Sequence, residues 1–271
     1  MSKPDFIGIG AMKAGTTWLY QCLSEHPEIS LVEKEFNFFS NNKKWLRGFD
    51  WYEKKLENSK KITGDFSVVY LPNPHAHLRI HNRYPETKLI VCLRNPVDRT
   101  FSHYLHGTKY GFIDKSIAFS EAVEQFSYLT KTSCYSVFIK KYLKYFSPQQ
   151  ILFLIYEDSL QNPLQYVQSV YRFLGADDQF VPPSLRKKIH PSYKPRFNLL
   201  EKLIYRRSLV RFAKKNWLGK RLGRATSQLL FKFNKEQANL SDGDREKMKD
   251  YFYSEIKELE RLTNRPLAQW L

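Results

Sequence analysis

The sequence predicts a three-layer α/β protein, in which a central parallel sheet lies between helices. Short apolar runs alternate with helix-like segments over residues 6–175. The runs at residues 88–93 and 151–156 are almost continuously apolar, which is typical of strands covered on both faces. A glycine-containing turn joins the first apolar run to a helix. Beyond residue 181 the alternation ends, and a helical, basic C-terminal part is expected.

The length of 271 residues suits one large domain. We expect a single domain over residues 1–271, with a cofactor-binding core at 1–180 and a basic helical part at 181–271. With 42% hydrophobic residues, the chain has ample material for a core. No apolar run approaches the roughly 20 residues of a membrane span, and no signal peptide is evident.

Three cysteines are spread widely along the chain, at Cys22, Cys92 and Cys134. Their spacing fits neither a disulfide framework nor a zinc site, so we expect buried thiols in a reducing compartment and a cytoplasmic protein. The histidines at positions 75, 77 and 81 also fit no metal-binding pattern.

Positive charge is concentrated in one region. Residues 186–235 contain sixteen Lys or Arg and one acid, a net +15 out of the +17 of the whole chain. Such a region is expected to meet an anionic partner, either an acidic glycan or the surface of an anionic membrane. The alternative outside the enzymes is a module that binds nucleic acid. Its affinity for nucleic acid would fall steeply as the salt concentration rises.

The turn after the first strand has the composition of a phosphate-binding loop. Gly15 lets the backbone approach a ligand, Lys13 adds a charge, and Thr16 and Thr17 add hydroxyl groups at the start of a helix. A Walker A loop is excluded as a close match, because its lysine directly precedes Ser or Thr. Because a strand, a glycine-containing turn and a helix start still form an anion site, the fold is expected to be P-loop-like. An ordinary strand–helix connection, with Lys13 in solvent, is the alternative.

The first helix is expected to end at the His-Pro pair at residues 26–27. An acidic segment with three phenylalanines follows at residues 31–39. A carboxylate beside these rings would be partly desolvated and a better base, and we select Glu35 for this role. One surface helix carrying aromatic side chains is predicted at 45–56, and a strand at 61–66.

The strand at residues 88–93 ends at Arg94, and a helix is expected to open at Pro96 with Asn95 as its N-cap. Ligands bind at the carboxyl ends of strands in such sheets. Arg94 and Ser102 are therefore candidates for binding a phosphate. Pairing of Arg94 with Asp98 is the structural alternative.

The remaining chain is predicted as follows. Residues 120–146 form two helices, residues 164–174 form a helix closed by Gly175, and residues 199–215 form a basic amphipathic helix. A last helix is expected at 246–262, after which Trp270 packs back on the body.

Three stretches, taken together, resemble the PAPS-dependent sulfotransferases. Residues 13–18 look like the 5′-phosphosulfate loop of that family. Residues 93–96, followed by Ser102, look like its 3′-phosphate strand–turn–helix. Residues 156–160, with the later Phe-Leu-Gly at 173–175, look like its third segment. The resemblance covers about residues 5–175, with a weaker match near Trp270.

The chain looks most similar to the heparan-sulfate and bacterial carbohydrate branch, because residues 35–39 resemble the acidic-aromatic segment of that branch. Two departures concern the acceptor. Phe66 stands where many heparan-sulfate members carry a lysine, and the cysteine pair of secreted relatives is not evident.

The resemblance implies in-line transfer of a sulfuryl group from PAPS to a hydroxyl or amine, without a metal, leaving adenosine 3′,5′-bisphosphate. It implies Glu35 as the base that takes the acceptor proton, and Lys13 as the cation beside the leaving 5′-phosphate. The residues implied in donor binding are Lys13, Ala14, Gly15, Thr16, Thr17, Trp18, Arg94 and Ser102. We add Lys194 and Arg196 as candidates that close the site.

The expected acceptor is a carbohydrate, a glycolipid or a hydroxylated small molecule, and no specific nucleic acid is expected as a partner. O- and N-sulfation both stay open, as does the oligomeric state. The alternative enzyme is a P-loop kinase, which would require ATP and magnesium.

Overall fold

The computed structural model describes residues 3–57, 60–187, 194–195, 235–236 and 238–271. Its central sheet has five strands, all parallel, in the order β2-β3-β1-β4-β5. The strands are β1 (Phe6–Gly10), β2 (Ile29–Leu31), β3 (Ile62–Phe66), β4 (Lys88–Leu93) and β5 (Ile151–Ile155). This confirms the predicted α/β fold with a parallel sheet between helices.

The sheet is covered on both faces. Every residue of β1 and of β3 is buried, as are the five apolar residues of β4. Helices on the two sides supply this cover, which is why the runs in β1 and β4 show no polar alternation, whereas β3 contains the buried polar residues Thr63 and Asp65. The central strand is β1 and β4 is its neighbour, so the turns after these two parallel strands lie side by side at the carboxyl edge.

Eleven helices connect or flank the strands in the part of the chain that the structure describes. They are α1 (Thr16–Glu25), α2 (Asn42–Trp45), α3 (Gly48–Leu56), α4 (Ala76–Arg83), α5 (Pro96–Tyr110), α6 (Phe119–Gln125), α7 (Tyr128–Lys131), α8 (Tyr135–Leu143), α9 (Tyr156–Gln161), α10 (Pro163–Leu174) and α11 (Asp242–Thr263). Short 3-10 turns occur at Pro148–Gln150 and Ala268–Trp270.

Local signals in the sequence account for several helix ends. The Asn95 side chain accepts a hydrogen bond from the Val97 amide at 2.9 Å, which confirms the predicted N-cap of α5. Gly175 closes α10 with a φ of 81°, as the sequence predicts. Trp270 is 1% exposed and therefore does pack back on the body.

Two helix predictions are wrong in their continuity. Residues 45–56 do not form one helix: Trp45 is the last residue of α2, and α3 begins at Gly48, whose φ of 80° interrupts the helical backbone. The aromatic side chain of Tyr52 is also buried, not on the surface. Residues 120–146 form three helices instead of two. The break before α8 holds Thr132 and Ser133, whose hydroxyls bind a buried arginine.

The chain divides into two compact units. The first comprises residues 1–99, 132–189 and 251–271, and it contains the whole five-stranded sheet. The second comprises residues 100–131 and 190–250. In the second unit the rings of Phe101 and Phe119 lie 5.4 Å apart, and residues 194–195 pair antiparallel with residues 235–236.

Most of the basic region lies outside the described residues, including the predicted helix at 199–215 and Arg196. Lys194 is described only as part of a short strand. Arg186 and Lys187, at the start of this region, are exposed. Among the described helices, none has the length and the apolar character that a bilayer crossing requires.

Candidate active site

The loop between β1 and α1 turns sharply at two residues in the left-handed region. Lys13 has a φ of 73° and Gly15 a φ of 76°. Gly15 is the N-cap of α1, and its carbonyl accepts hydrogen bonds from the amides of Trp18 (3.0 Å) and Leu19 (3.2 Å). The first amides of a helix have no carbonyl partner within it, so the start of α1 can bind an anion.

Strand pairing brings this loop beside the end of β4. Gly10 pairs with Val91, and the Ala11 amide donates to the Cys92 carbonyl at 2.7 Å. Arg94 follows directly, and its Nη1 donates to the Lys13 carbonyl at 3.3 Å. The structure therefore unites two motifs that are about eighty residues apart in the chain. Arg94 contacts the loop, which differs from the alternative of simple pairing with Asp98.

Tyr156, at the start of α9, packs against both partners. The Arg94 guanidinium lies 5.0 Å from the centre of the Tyr156 ring. A Cβ at Gly15 would lie only 2.6 Å from the ring carbon Cδ2, so this position has room for glycine alone. The sequence analysis placed Tyr156 in a motif but gave it no role. The Tyr156 ring packs against both the loop, at Gly15, and the Arg94 guanidinium.

Arg99 is a site residue that the sequence analysis missed. It is 2% exposed, and its Nε donates to the Met12 carbonyl at 3.1 Å. Its Nη1 donates to the hydroxyls of Thr132 and Ser133. Burial lowers the pKa of Arg99, but from so high an ordinary value that the group stays charged. Arg99 thus adds fixed positive charge behind the loop. In the sequence, the sign of this role was the position of Arg99, one turn into the helix α5.

Glu35 lies in a segment that is held in an unusual conformation, with a φ of 60°. One carboxylate oxygen is 2.5 Å from the Lys34 ammonium, and the other accepts a hydrogen bond from the Val68 amide at 3.1 Å. The side chain is 34% exposed. The aromatic residues that follow it are buried: Phe36, Phe38 and Phe39. Glu35 is therefore fixed by two donors and open to a solvent-side partner.

A second carboxyl group, Asp65, lies in β3 and is completely buried. It accepts hydrogen bonds from the hydroxyls of Tyr70 (2.6 Å), Ser67 (2.9 Å) and Tyr52 (3.4 Å). Burial raises the pKa of Asp65 to about 6, and the nearby negative charge of Glu35 adds to the increase. The sequence analysis gave Asp65 no role, because a single acid in a strand carries no sign of such partners.

The other predicted residues occupy different surroundings. Thr16 is buried and Thr17 is exposed at the start of α1, while Ala14 is fully buried under the loop. Trp18 is half-buried, with its ring 5.8 Å from that of Tyr166. Ser102 is 3% exposed in α5, within the second compact unit.

Phe66, which the sequence comparison by resemblance singled out as a departure, is a core residue. It is fully buried, and its ring covers Gly8 so closely that a Cβ there would lie 2.4 Å away. None of the three cysteines, all of which the structure describes, forms a disulfide, and burial raises the pKa of each thiol. No group of three His, Cys, Asp or Glu side chains in the described residues is arranged to hold a metal ion.

A parallel sheet, a cationic loop at a helix start and an arginine at the adjoining strand end together define an α/β protein whose sheet edge offers donors suited to a phosphate. Comparison with known proteins gives the family. Residues 3–259 match the family model described as "Sulfotransferase domain", so the chain belongs to the sulfotransferase domain family. This confirms the family that the motifs indicated.

The chain is similar to heparan-sulfate enzymes. It is 30% identical over 184 residues to mouse "Heparan sulfate glucosamine 3-O-sulfotransferase 5", covering 64% of this chain and 53% of the relative. It is 30% identical over 194 residues to human "Bifunctional heparan sulfate N-deacetylase/N-sulfotransferase 3", covering 64% of this chain and 22% of the relative. The chain thus matches about half, or less, of the length of these curated relatives.

The fold also matches a solved structure along the whole chain. The crystal structure of a sulfotransferase from Alicyclobacillus acidocaldarius superposes with a TM-score of 0.73 and 24% identity, covering 100% of this chain and 99% of the other. At this identity the likeness concerns the fold. It supports the three-layer architecture with a P-loop-like first turn.

Proposed function

We propose that this protein is a PAPS-dependent sulfotransferase that moves a sulfuryl group to a hydroxyl or amine of a carbohydrate, a glycolipid or a hydroxylated natural product. The observation that carries the proposal is the contact of the glycine-turned Lys13–Gly15 loop with Arg94, at the adjoining ends of β1 and β4. Family membership agrees with it.

The residues present fit the donor. The start of α1 offers amides to the 5′-phosphate, and Gly15 allows the close approach because a larger residue would strike Tyr156. We assign Lys13 to the 5′-phosphate, together with Ala14, Gly15, Thr16 and Thr17. Arg94, steadied over the Tyr156 ring, would bind the 3′-phosphate that distinguishes PAPS from ATP.

Several further assignments remain proposals. Ser102 is assigned to the 3′-phosphate, and Trp18, whose ring is half-buried, to the adenine. Lys194 and Arg196 are assigned to closing the site. Arg99 joins this set as a residue that fixes the loop from behind, through the Met12 carbonyl.

In this mechanism the protein positions the reactants and stabilises charge. The sulfuryl group passes in line from PAPS to the acceptor oxygen or nitrogen, and Glu35 takes the proton that the acceptor loses. Lys13 and the amides at the start of α1 stabilise the negative charge left on the 5′-phosphate. The Val68 amide and the Lys34 ammonium hold the Glu35 carboxylate toward its partner.

The acceptor class rests on the relatives. Both relatives described above are named as heparan-sulfate sulfotransferases, one acting on oxygen and one on nitrogen. A glycan acceptor is therefore the first to test. The basic region that begins at the exposed Arg186 and Lys187 is proposed to contact an acidic glycan or an anionic membrane.

We also propose that residues 1–271 act as one sulfotransferase domain, with the cofactor-binding core at 1–180 and the basic helical part at 181–271. A reducing, cytoplasmic location is proposed from the three cysteines, which form no disulfide among the described residues. Burial raises the pKa of Cys22 and of Cys92 to about 12, which suits thiols that stay protonated and unreactive.

Transfer of label from 35S-PAPS tests the proposal. Desulfated and N-deacetylated glycans, a glycolipid and a simple phenol serve as acceptors. Glu35→Gln should lower turnover by about 10²–10⁴-fold, the range for losing a general base, while donor binding changes little. Glu33→Gln, at the exposed neighbouring acid, is the matched control and should keep full activity. Label on none of these acceptors, or phosphoryl transfer from ATP, would contradict the proposal.

A further inference from the structure

We propose that Asp65 is a positioning residue for Glu35, and that the hydroxyl of Ser67 carries its effect to the segment that bears Glu35. This inference rests on the proposed function, in which Glu35 is the base. It concerns groups that lie beneath the site and contact neither the donor nor the acceptor.

The hydroxyl group of Ser67 is held in one direction by Asp65. Ser67 is fully buried, and its Oγ donates its single hydrogen to Asp65 Oδ1 at 2.9 Å. The lone pairs of that oxygen are then directed elsewhere, and the Asn37 amide donates to them at 2.9 Å. Because the acceptor is a buried carboxyl group, the hydroxyl is oriented in one direction.

The bond from the Asn37 amide to Ser67 holds the segment that contains Glu35 and Asn37. Glu35 and Asn37 both adopt left-handed φ values, 60° and 59°; this region is unfavourable for Glu35, whereas asparagine tolerates it better. Such a conformation persists only if its surroundings enforce it. The bond from the Asn37 amide to Ser67 therefore opposes relaxation of the segment.

Three consecutive residues, 66–68, hold the segment that bears Glu35, in addition to the ion pair of Glu35 with Lys34. Glu35 donates its amide to the Phe66 carbonyl at 3.1 Å, and its carboxylate accepts from the Val68 amide at 3.1 Å. Ser67, between them, binds Asn37. Residues 66–68 thus fix the backbone on both sides of Phe36 and the carboxylate itself.

The same three residues are anchored to the strand that leads into the phosphate loop. The Ser67 amide donates to the Gly8 carbonyl in β1 at 2.9 Å. Asp65 is itself paired with Ile7 across the two strands. A defect at Asp65 or Ser67 would therefore shift Glu35 relative to β1, and so relative to the donor.

Two further hydroxyls make Asp65 a firm anchor. Tyr70 and Tyr52 donate to its second oxygen, at 2.6 and 3.4 Å. Asp65→Asn would replace an acceptor by a donor and disturb all three partners, and it risks unfolding the protein. Ser67→Ala is the sharper variant, since it removes one oxygen and leaves both tyrosines on Asp65.

The test compares Ser67→Ala with Thr87→Val, which also deletes one buried hydroxyl hydrogen bond, from Thr87 to the Pro4 carbonyl at 3.0 Å. Turnover of PAPS, affinity for adenosine 3′,5′-bisphosphate and amide hydrogen exchange are measured for each. We expect Ser67→Ala to lower kcat about 10–100-fold, because a misplacement of about 1 Å can have that effect. Its affinity for the bisphosphate should stay within about twofold, and the Asn37 amide should exchange at least about tenfold faster.

Thr87→Val should change neither kcat nor exchange at Asn37. Equal kcat in the two variants, or an unchanged exchange rate at Asn37 in Ser67→Ala, would overturn the positioning role. If the wild-type protein transfers no sulfuryl group, the proposed function fails, and exchange at Asn37 still decides whether Ser67 holds the segment.

Discussion

Replacement of Gly15 by alanine should damage both the stability and the donor site. Alanine at a φ of 76° costs about 1 kcal/mol in the left-handed region. Its Cβ would lie 2.6 Å from Cδ2 and 2.9 Å from Cε2 of Tyr156, so the ring must move. Overpacking of this kind costs about 1–3 kcal/mol. We therefore expect Gly15→Ala to lose about 2–4 kcal/mol of the free energy of unfolding.

Gly15→Ala should also weaken ligand binding, because the Tyr156 ring that it displaces packs against Arg94. A displaced ring no longer steadies the Arg94 guanidinium, 5.0 Å from its centre, and Arg94 also binds the Lys13 carbonyl. Loss of a charge-assisted hydrogen bond to a phosphate is worth about 1.5–3 kcal/mol. The affinity for adenosine 3′,5′-bisphosphate should fall about 10–100-fold. Urea unfolding and calorimetric titration measure the two effects.

Gly175→Ala separates backbone strain from the clash. Gly175 has a φ of 81°, but a Cβ there would meet nothing within 4 Å. This variant should lose only about 1 kcal/mol and bind the bisphosphate normally. Equal losses of stability in the two variants, with unchanged binding in Gly15→Ala, would refute the steric reasoning.

Three other perturbations have defined outcomes. Arg99→Met should lower the free energy of unfolding by about 2–4 kcal/mol in urea, since the Met12 carbonyl and the hydroxyls of Thr132 and Ser133 all lose the guanidinium that donates to them. Asp65 has a native pKa of about 6, above the unfolded value of about 3.9, so the native state binds the extra proton between these values. The free energy of unfolding that Asp65 contributes should therefore decrease by about 3 kcal/mol as the pH rises from about 4 to 6, and stay level above about pH 6. Urea unfolding of wild type and Asp65→Asn at about pH 4.5 and at about pH 7 measures this, and the difference between their free energies of unfolding should be smaller at the higher pH. Trp270→Phe should lose about 1–3 kcal/mol, because the indole N–H donates to Glu157, whose pKa burial already raises; an unchanged urea midpoint would contradict this.

Local signals in the sequence predicted much of the fold. The apolar run at 88–93 is β4 residue for residue. Asn95 caps the start of α5 and Gly175 caps the end of α10, by capping chemistry that needs no tertiary contact. The prediction of one helix over 45–56 was wrong because Gly48 adopts a left-handed turn there. A glycine within a helical pattern is often tolerated, so the sequence could not distinguish the two cases.

The candidate site was predicted only where its residues form local motifs. Lys13 and Arg94 each stand at the end of an apolar run, and strand pairing then joins them. Asp65 depends on its complete burial and on the hydroxyl of Tyr52, and Arg99 depends on a long-range contact with the Met12 carbonyl. Burial makes them important, and burial is a property of the packed chain that a short pattern does not contain.

Calorimetric titration with adenosine 3′,5′-bisphosphate tests the central claim most directly. The wild-type protein should bind it with micromolar affinity and bind ADP weakly, because Arg94 recognises the 3′-phosphate. Arg94→Ala and Lys13→Ala should each lose at least about tenfold in affinity. Lys257→Ala removes the same charge from a pair with Glu260 on α11, and it should bind like the wild type. Equal affinity for ADP, or unchanged binding in Arg94→Ala, would contradict the account.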